Sequence, residues 1–550
     1  MPSTGNLYGS TDRFVELNDG YYTGCAFLGN GLFLVAGIMK YNITNEDYEI
    51  VESHTDWIPR AVVVGTEGCD VSFLTRPVSL GIDYGNDPTF GCARLEDNRA
   101  IIAGCTDSFP GSPANDSVHN GVAIVAQLDP TTMDLALGDP TAFDRGRLYG
   151  YVSPGVEREA GLLGDYLDSS LGICALTGSL AVVGYGYAEL DLLDGTDVGN
   201  GDTSGTDVMD IPGGDTTTSF YAKVCPLTIH GMEITPGTPV RVHQRSHHDD
   251  FMSLDQVLPL SADKGVFVYP AEHFRGYAVV FTVVNGEIDT WKRTLFADDP
   301  PELDGNRDLN STEANDPASG KFGFLMGRAA VLSRDLVCTY GCNGYFSQLP
   351  LRTFRIDGLD FTEIDYKYIQ DYEVWPWLVH LGDGLVFCAE TDSMSLLERP
   401  DSVDASITRS TTYRGNSPIT ATLVSVNLTS GLIEDFEFLG RVNNGFMGVT
   451  DGVIRAYSGK HVNWDDATDM CLGDNNQIFF VNYQGLGIID PVCWEFPQAS
   501  YEQNPTVTES FTRSEWYGPY ISDILGYEVV RERGAPGAEP GIQRIRTVGG

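Results

Sequence analysis

Apolar strands and short polar turns alternate along most of this chain. Two segments show the unit clearly: Gly24-Cys25-Ala26-Phe27-Leu28-Gly29-Asn30-Gly31-Leu32-Phe33-Leu34-Val35 and Gly172-Ile173-Cys174-Ala175-Leu176-Thr177-Gly178-Ser179-Leu180-Ala181-Val182-Val183. Each is an apolar strand, a tight turn and a second apolar strand, the pattern of a buried hairpin. Taking the last apolar residue before each turn as an anchor gives Leu28, Leu95, Leu176, Leu260, Leu332, Leu381 and Val449. Their spacings are 67, 81, 84, 72, 49 and 68 residues, so the unit recurs seven times. Repetition of this kind marks an array of similar structural units.

Each unit has a second half. After a variable insert comes another strand pair, such as Ala61–Val64 with Val71–Leu74, Val122–Val125 with Met133–Ala136, Ala278–Phe281 with Ile288–Trp291, and Ile478–Val481 with Gly487–Ile489. The turns inside these pairs carry Asn285-Gly286, Asp357-Gly358 and His230-Gly231, the residues that tolerate tight reversals. Four strands repeated seven times predict an all-β, seven-bladed β-propeller with four-stranded blades. The ring is expected over residues 14–497, with a C-terminal extension or docking arm over 498–550. A closed ring needs its two ends joined. The candidates are Phe14-Val15-Glu16-Leu17, favoured as an outer strand of the last blade, and Ile524–Val530.

The repeat resembles the sequence-divergent propeller class that includes kelch-type and WD-type arrays, in period and strand count only. No unit carries the Gly-Gly doublet of kelch or the Trp-Asp ending of WD repeats. By architecture the chain also resembles the propeller subunits of tailed-virus particles, in tails, fibres and capsid surfaces.

Charge narrows the partners. The 550 residues contain 50 Asp and 27 Glu against 27 Arg and 7 Lys, a formal net charge of −43. Such an Asp-rich, Lys-poor surface is close to that of proteins from saline environments. Its self-repulsion extends over a Debye length of about 8 Å at physiological salt and about 3 Å at 1 M. Nucleic acid is excluded as a partner by the same charge, because phosphate binding needs a basic face. No run approaches the roughly 20 apolar residues of a membrane-spanning helix, so membrane insertion is not expected. The first residues lack the basic and apolar regions of a secretory signal. The 11 cysteines show no paired spacing and are expected to be reduced core thiols.

Candidate chemistry sits in the inserts. Asp304, Asn306, Asp308, Asn310 and Asp316 place oxygen ligands at alternate positions, as a Ca2+ loop requires, although Leu309 stands where the sharp-turn glycine belongs. A second acidic insert runs over 191–215. His243, His247, His248, Asp249 and Asp250 form the densest imidazole cluster, in a segment read as a loop between blades. The tail carries Arg531, Arg533, Arg544 and Arg546, an expected contact with an acidic neighbouring subunit. Trp375-Pro376-Trp377 is expected to pack blade against blade, with sugar stacking the other use of exposed aromatics. No Gly-x-Ser-x-Gly elbow, His-Glu-x-x-His motif or phosphate loop is present.

These features predict a non-enzymatic structural or adhesion subunit of a tailed-virus virion. It would be assembled in the host cytoplasm and act on other virion proteins, in a homo- or hetero-oligomer, and on a host surface glycan or receptor. The alternatives are a carbohydrate-active propeller enzyme (glycoside hydrolase or lyase) and a cellular protein-interaction platform.

Overall fold

A computed structural model describes residues 4–6, 13–45, 49–67, 70–82, 90–106, 120–145, 148–150, 162–164, 166–192, 216–245, 256–271, 275–297, 325–342, 348–371, 374–391, 418–443, 454–456, 467–474, 477–482, 485–489, 527–530 and 544–547. Among them there is no α-helix, and seven antiparallel sheets form the blades of a propeller. Six blades are meanders read off in chain order. Blade 1 is Arg13–Gly29, Leu32–Asn45, Ile50–Glu67 and Asp70–Phe73. Blade 2 is Phe90–Glu96, Arg99–Thr106, Asn120–Asp129 and Asp134–Leu137. Blade 3 is Tyr166–Thr177, Leu180–Leu192, Thr216–His230 and Glu233–Pro236. Blade 4 is Gln256–Ser261, Lys264–Ala271, Arg275–Val284 and Glu287–Ala297. Blade 5 is Leu325–Ser333, Leu336–Cys342, Gln348–Asp357 and Asp360–Asp371, and blade 6 is Val374–Gly382, Leu385–Thr391, Pro418–Val426 and Ile433–Asn443.

The anchor leucines acquire a physical meaning. In every inner hairpin of blades 1 to 6 the register skips one residue, and that residue is Leu28, Leu95, Leu176, Leu260, Leu332 or Leu381. Each is a β-bulge just before the turn, which bends the strand and adds twist where the inner strands crowd. The turns that follow in blades 1, 2 and 6 use left-handed backbone. Gly29, Asn30 and Gly31 have φ of 99°, 53° and 70°, and Gly382, Asp383 and Gly384 have 110°, 50° and 79°, a conformation that glycine, asparagine and aspartate reach most easily.

Blade 7 departs from the expectation. Its inner strand is Ala467–Leu472, followed by Ile478–Asn482 and Gly485–Ile489, and its outer position is taken by Ile454–Ala456, which precedes all three. The pair at 478–489 therefore supplies the second and third strands rather than the third and fourth. Val449, the seventh anchor, lies outside the described residues. Phe14–Leu17 is part of the inner strand of blade 1 and pairs with Thr4–Asn6 and Leu32–Asn45, not with the last blade. In the tail, Tyr527–Val530 pairs with Arg544–Thr547.

The ring closes by packing. The seven inner strands adjoin one another in cyclic order, and the strand of blade 7 adjoins that of blade 1. Apolar clusters form between successive blades. Leu28, Leu34 and Val63 of blade 1 pack with Phe90, Ile102 and Ile124 of blade 2. Phe33, Val35 and Val62 pack with Phe479 and Val481 of blade 7, and Phe33 stacks on Phe479 at 4.5 Å. Trp377 of blade 6 meets Phe480 of blade 7 edge-on at 6.3 Å, which places Trp377 in blade packing as expected. Gly24 faces the backbone of blade 2, where an added Cβ would stand 2.5 Å from the Phe90 carbonyl oxygen.

A meander of this kind sorts its connections by face. Inner strands end, and third strands end, at one face of the ring. There the connections are two to six residues long, from Asn30-Gly31 to 427–432. At the opposite face leave the segments 193–215, 298–324 and 392–417, of 23, 27 and 26 residues. We call these the turn face and the insert face.

Candidate functional site

An inner strand of a propeller is an edge strand, and those of its N–H groups that do not pair within the blade need other acceptors. Side chains of the preceding inner strand supply several. The Cys25 N–H donates to Asp469 Oδ2 at 2.8 Å, closing blade 7 on blade 1 across 444 residues. The Phe90 N–H donates to Thr23 Oγ1 at 2.9 Å, and the Ala329 N–H to Gln256 Oε1 at 2.5 Å. At the turn face the Gly31 N–H donates to Asp474 Oδ2 at 2.8 Å.

Asp469 is the unusual member of this set because it carries charge at the centre of the ring. Five blades contribute to its surroundings. Cys25 and Cys92 come from blades 1 and 2, Arg328 from blade 5, Trp377 from blade 6, and Asp469 with Cys471 from blade 7. Arg328 is 8% exposed and lies over the Trp377 ring, 5.6 Å from its centroid. Burial pushes the Asp469 carboxyl up to about 6, against the pull of the Cys25 N–H and of Arg328. Burial also brings Arg328 down to about 10, against the attraction of Asp469. A carboxyl that is largely buried, holds its proton to that pH and faces a cation can donate or accept a proton near neutrality.

A second charged centre lies between blades 2 and 3. Thr141–Asp144 adds a strand to Asn120–Asp129 and carries Asp144 toward blade 3. Lys223 Nζ stands 2.8 Å from Asp144 Oδ2, with side chains 9% and 14% exposed. The Tyr185 hydroxyl donates to the same oxygen at 2.8 Å, and the ammonium lies 3.1 Å from the Tyr187 ring centroid. Burial, then Asp144, holds the Tyr185 hydroxyl far above its usual range.

The expected site residues fare differently. Asp304, Asn306, Asp308, Asn310 and Asp316 lie outside the described residues, as do Arg531, Arg533, His247, His248 and most of the 191–215 insert. Arg544 and Arg546 fall on the paired strand Arg544–Thr547. His243 is not on a loop. It sits in the strand Val240–Arg245, which pairs with Thr216–His230, and is buried against Tyr277 with ring centroids 4.4 Å apart. Among the described residues no group of three or more His, Cys, Asp or Glu is placed to hold a metal ion. The eight described cysteines are free thiols. Asp469, Arg328 and the Lys223–Asp144 pair were not singled out in the sequence. One signal existed for Arg328, an arginine in the middle of Leu325–Ser333, which otherwise reads as an inner, apolar strand; the pattern of Ala467–Leu472 gives no such signal for Asp469.

No protein-family model matches the chain, and no curated protein sequence does. Among solved structures it is similar in fold to a Lactobacillus plantarum protein (10% identity, 80% of this chain and 96% of that one, TM-score 0.38). It is similar to the Pseudomonas aeruginosa periplasmic gluconolactonase PpgL (11%, 80% and 95%, 0.36). It is also similar to the NanB sialidase of Streptococcus pneumoniae (10%, 88% and 90%, 0.37). These values carry no residue-level correspondence, and the propeller assignment rests on the sheets themselves.

Proposed function

We propose that the chain is a non-enzymatic attachment or structural subunit whose working surface is the insert face. The observation that carries this reading is the sorting of connections, because variable segments of up to 27 residues leave one face of a rigid ring while the other is closed by short turns. Binding residues concentrate on loops held by a rigid scaffold. Segment 193–215 has six aspartates and no basic residue, and 298–324 has seven acidic residues against Arg307 and Lys321. Such a face suits a cationic or hydroxyl-rich partner. The particle setting, a tailed virus from a saline environment with a host glycan or receptor as target, is part of the proposal. It is supported by the acidic, lysine-poor composition.

A second reading has its own observation. Asp469, protonated up to about 6 beside Arg328, has the character of a general acid in a carbohydrate-active enzyme. Hydrolysis by paired carboxylates would require a second one roughly 5–10 Å away.

One experiment separates the two. The purified full chain is presented to a glycan panel and to intact host cells, with bound material and released sugar both measured. Replacing 193–215 by a short Gly/Ser linker is expected to abolish binding, whereas Ser430→Ala on the turn face leaves it intact. Sugar release that disappears in Asp469→Asn would establish the second reading. Binding that survives loss of the insert and fails on the turn face would sink the first.

A further inference from the structure

The seam between blade 7 and blade 1 holds more than an apolar contact. Asp469 and Cys471 are two residues apart on one strand and so point the same way, toward the inner strand of blade 1. There the Asp469 carboxylate accepts the Cys25 N–H at 2.8 Å and also the Cys25 thiol proton. The Cys471 thiol lies within hydrogen-bonding reach of the Cys25 thiol and packs on the cluster that contains Cys25. Both thiols are free. Cys25 is 2% exposed, whereas Cys471 is only partly covered. The third thiol, Cys92, faces Gly24 one residue away, with its sulfur 3.0 Å from the position of an added Cβ.

We propose that Cys25 and Cys471 are a disulfide-forming pair that staples blade 7 to blade 1 when the protein meets a peroxide oxidant, with Asp469 receiving the Cys25 proton. The accessible thiol reacts first. The Cys471 sulfur attacks one peroxide oxygen, the O–O bond breaks, and the released hydroxide leaves as water with the thiol proton. Cys471 is now a sulfenic acid. The Cys25 sulfur attacks the Cys471 sulfur and the S–O bond breaks. The Cys25 proton passes to Asp469 and then to the departing hydroxyl, which leaves as the second water. Two thiols and one peroxide give one disulfide and two waters, with two electrons moved from sulfur to oxygen.

The position gives the bond its consequence. Blades 1 and 7 are the two ends of the repeat, and in the reduced protein only non-covalent contacts join them. A bond between residues 25 and 471 would close nearly the whole ring covalently, and cross-links over long stretches restrict the unfolded chain most. The reduced pair is also shielded from accidental reaction. Burial and the neighbouring Cys471 hold the Cys25 thiol well above its usual range, which keeps it protonated until a sulfenic acid forms beside it.

The test uses the full chain treated with hydrogen peroxide, alkylated after denaturation and digested without reductant. The expected result is a linked peptide joining Cys25 to Cys471. The intact mass should fall by about 2 Da, for the two hydrogens the ladder removes. Dithiothreitol should reverse the link, and oxidation should raise the thermal midpoint by several degrees. Cys471→Ser should lose the link and Cys92→Ser should keep it. Asp469→Asn should form it at least about tenfold more slowly while its circular dichroism stays native. A link through Cys92, or Cys471 advancing to sulfinic acid while Cys25 still alkylates, overturns the assignment. So does the absence of any linked peptide from peroxide-treated protein.

Discussion

Lys223 and Asp469 are both charged side chains enclosed by the ring, but their surroundings differ in one respect. Lys223 has an ion partner at 2.8 Å, an aromatic face at 3.1 Å, and a partner carboxylate that also accepts from Tyr185. Asp469 has a backbone N–H, a thiol and a guanidinium that attracts it, and its carboxyl is still pushed up to about 6. Desolvation is compensated at the first site by direct contact and at the second only in part. The first therefore behaves as a structural joint between blades 2 and 3. The second keeps a proton that can move, at the seam where the two ends of the repeat meet.

The largest effect is expected from breaking the compensated site. Lys223→Met leaves Asp144 enclosed without its cation, and loss of one partner of a buried pair costs about 3–5 kcal/mol. Guanidinium titrations of the full chain should show a loss in that range. A loss below about 1 kcal/mol would mean that water replaces the ammonium and that the two sites do not differ.

The second effect sharpens the contrast by pH. The folded-state value of Asp469 is raised from 3.8 to about 6, so the folded protein holds this proton more tightly than the unfolded chain. Its contribution to stability is complete below the unfolded value and is lost as pH rises through the folded one. Asp469→Asn keeps a carbonyl oxygen for the Cys25 N–H but cannot titrate. The stability of the wild type relative to Asp469→Asn should therefore fall between about pH 4 and 6, by on the order of 3 kcal/mol, and be flat above that. A difference that does not vary with pH would show that the Asp469 carboxyl titrates alike in the folded and the unfolded chain.

The smallest effect sets the baseline. Lys292 and Asp360 also join two blades, 4 and 5, but their side chains are 55% and 60% exposed. Lys292→Ala should cost no more than about 0.5 kcal/mol, and added salt should remove what there is. A loss as large as that of Lys223→Met would show that charge pairing across blades matters irrespective of burial.

Much of the ring was legible because its signals are local. The apolar runs, the turn residues and the anchors Leu28 to Leu381 before each turn follow from neighbours in sequence, whereas the bulge at each anchor shows only in the strand register. Blade 7 was misread for the opposite reason. In Ala467–Leu472 the apolar run is interrupted by Asp469, whose partner is the N–H of Cys25, and no local periodicity reports a partner 444 residues away. His243 was read as a loop residue because its strand, Val240–Arg245, is short and is fixed by pairing with a long third strand rather than by its own pattern.

The sequence by itself determined the strand class, the sevenfold repeat and the inner hairpins of blades 1 to 6, because these depend on side-chain alternation and turn chemistry within a dozen residues. Only the tertiary structure decided which polar groups are enclosed together. Lys223 sits in a strand whose alternation is compatible with either face, and it is Asp144, carried in by an added strand of blade 2, that makes its burial tolerable. Closure of the ring is what brings Asp469, Cys471 and Cys25 to one place. The energy of such a contact depends on distance and solvent exclusion, and neither exists until the two ends of the repeat meet.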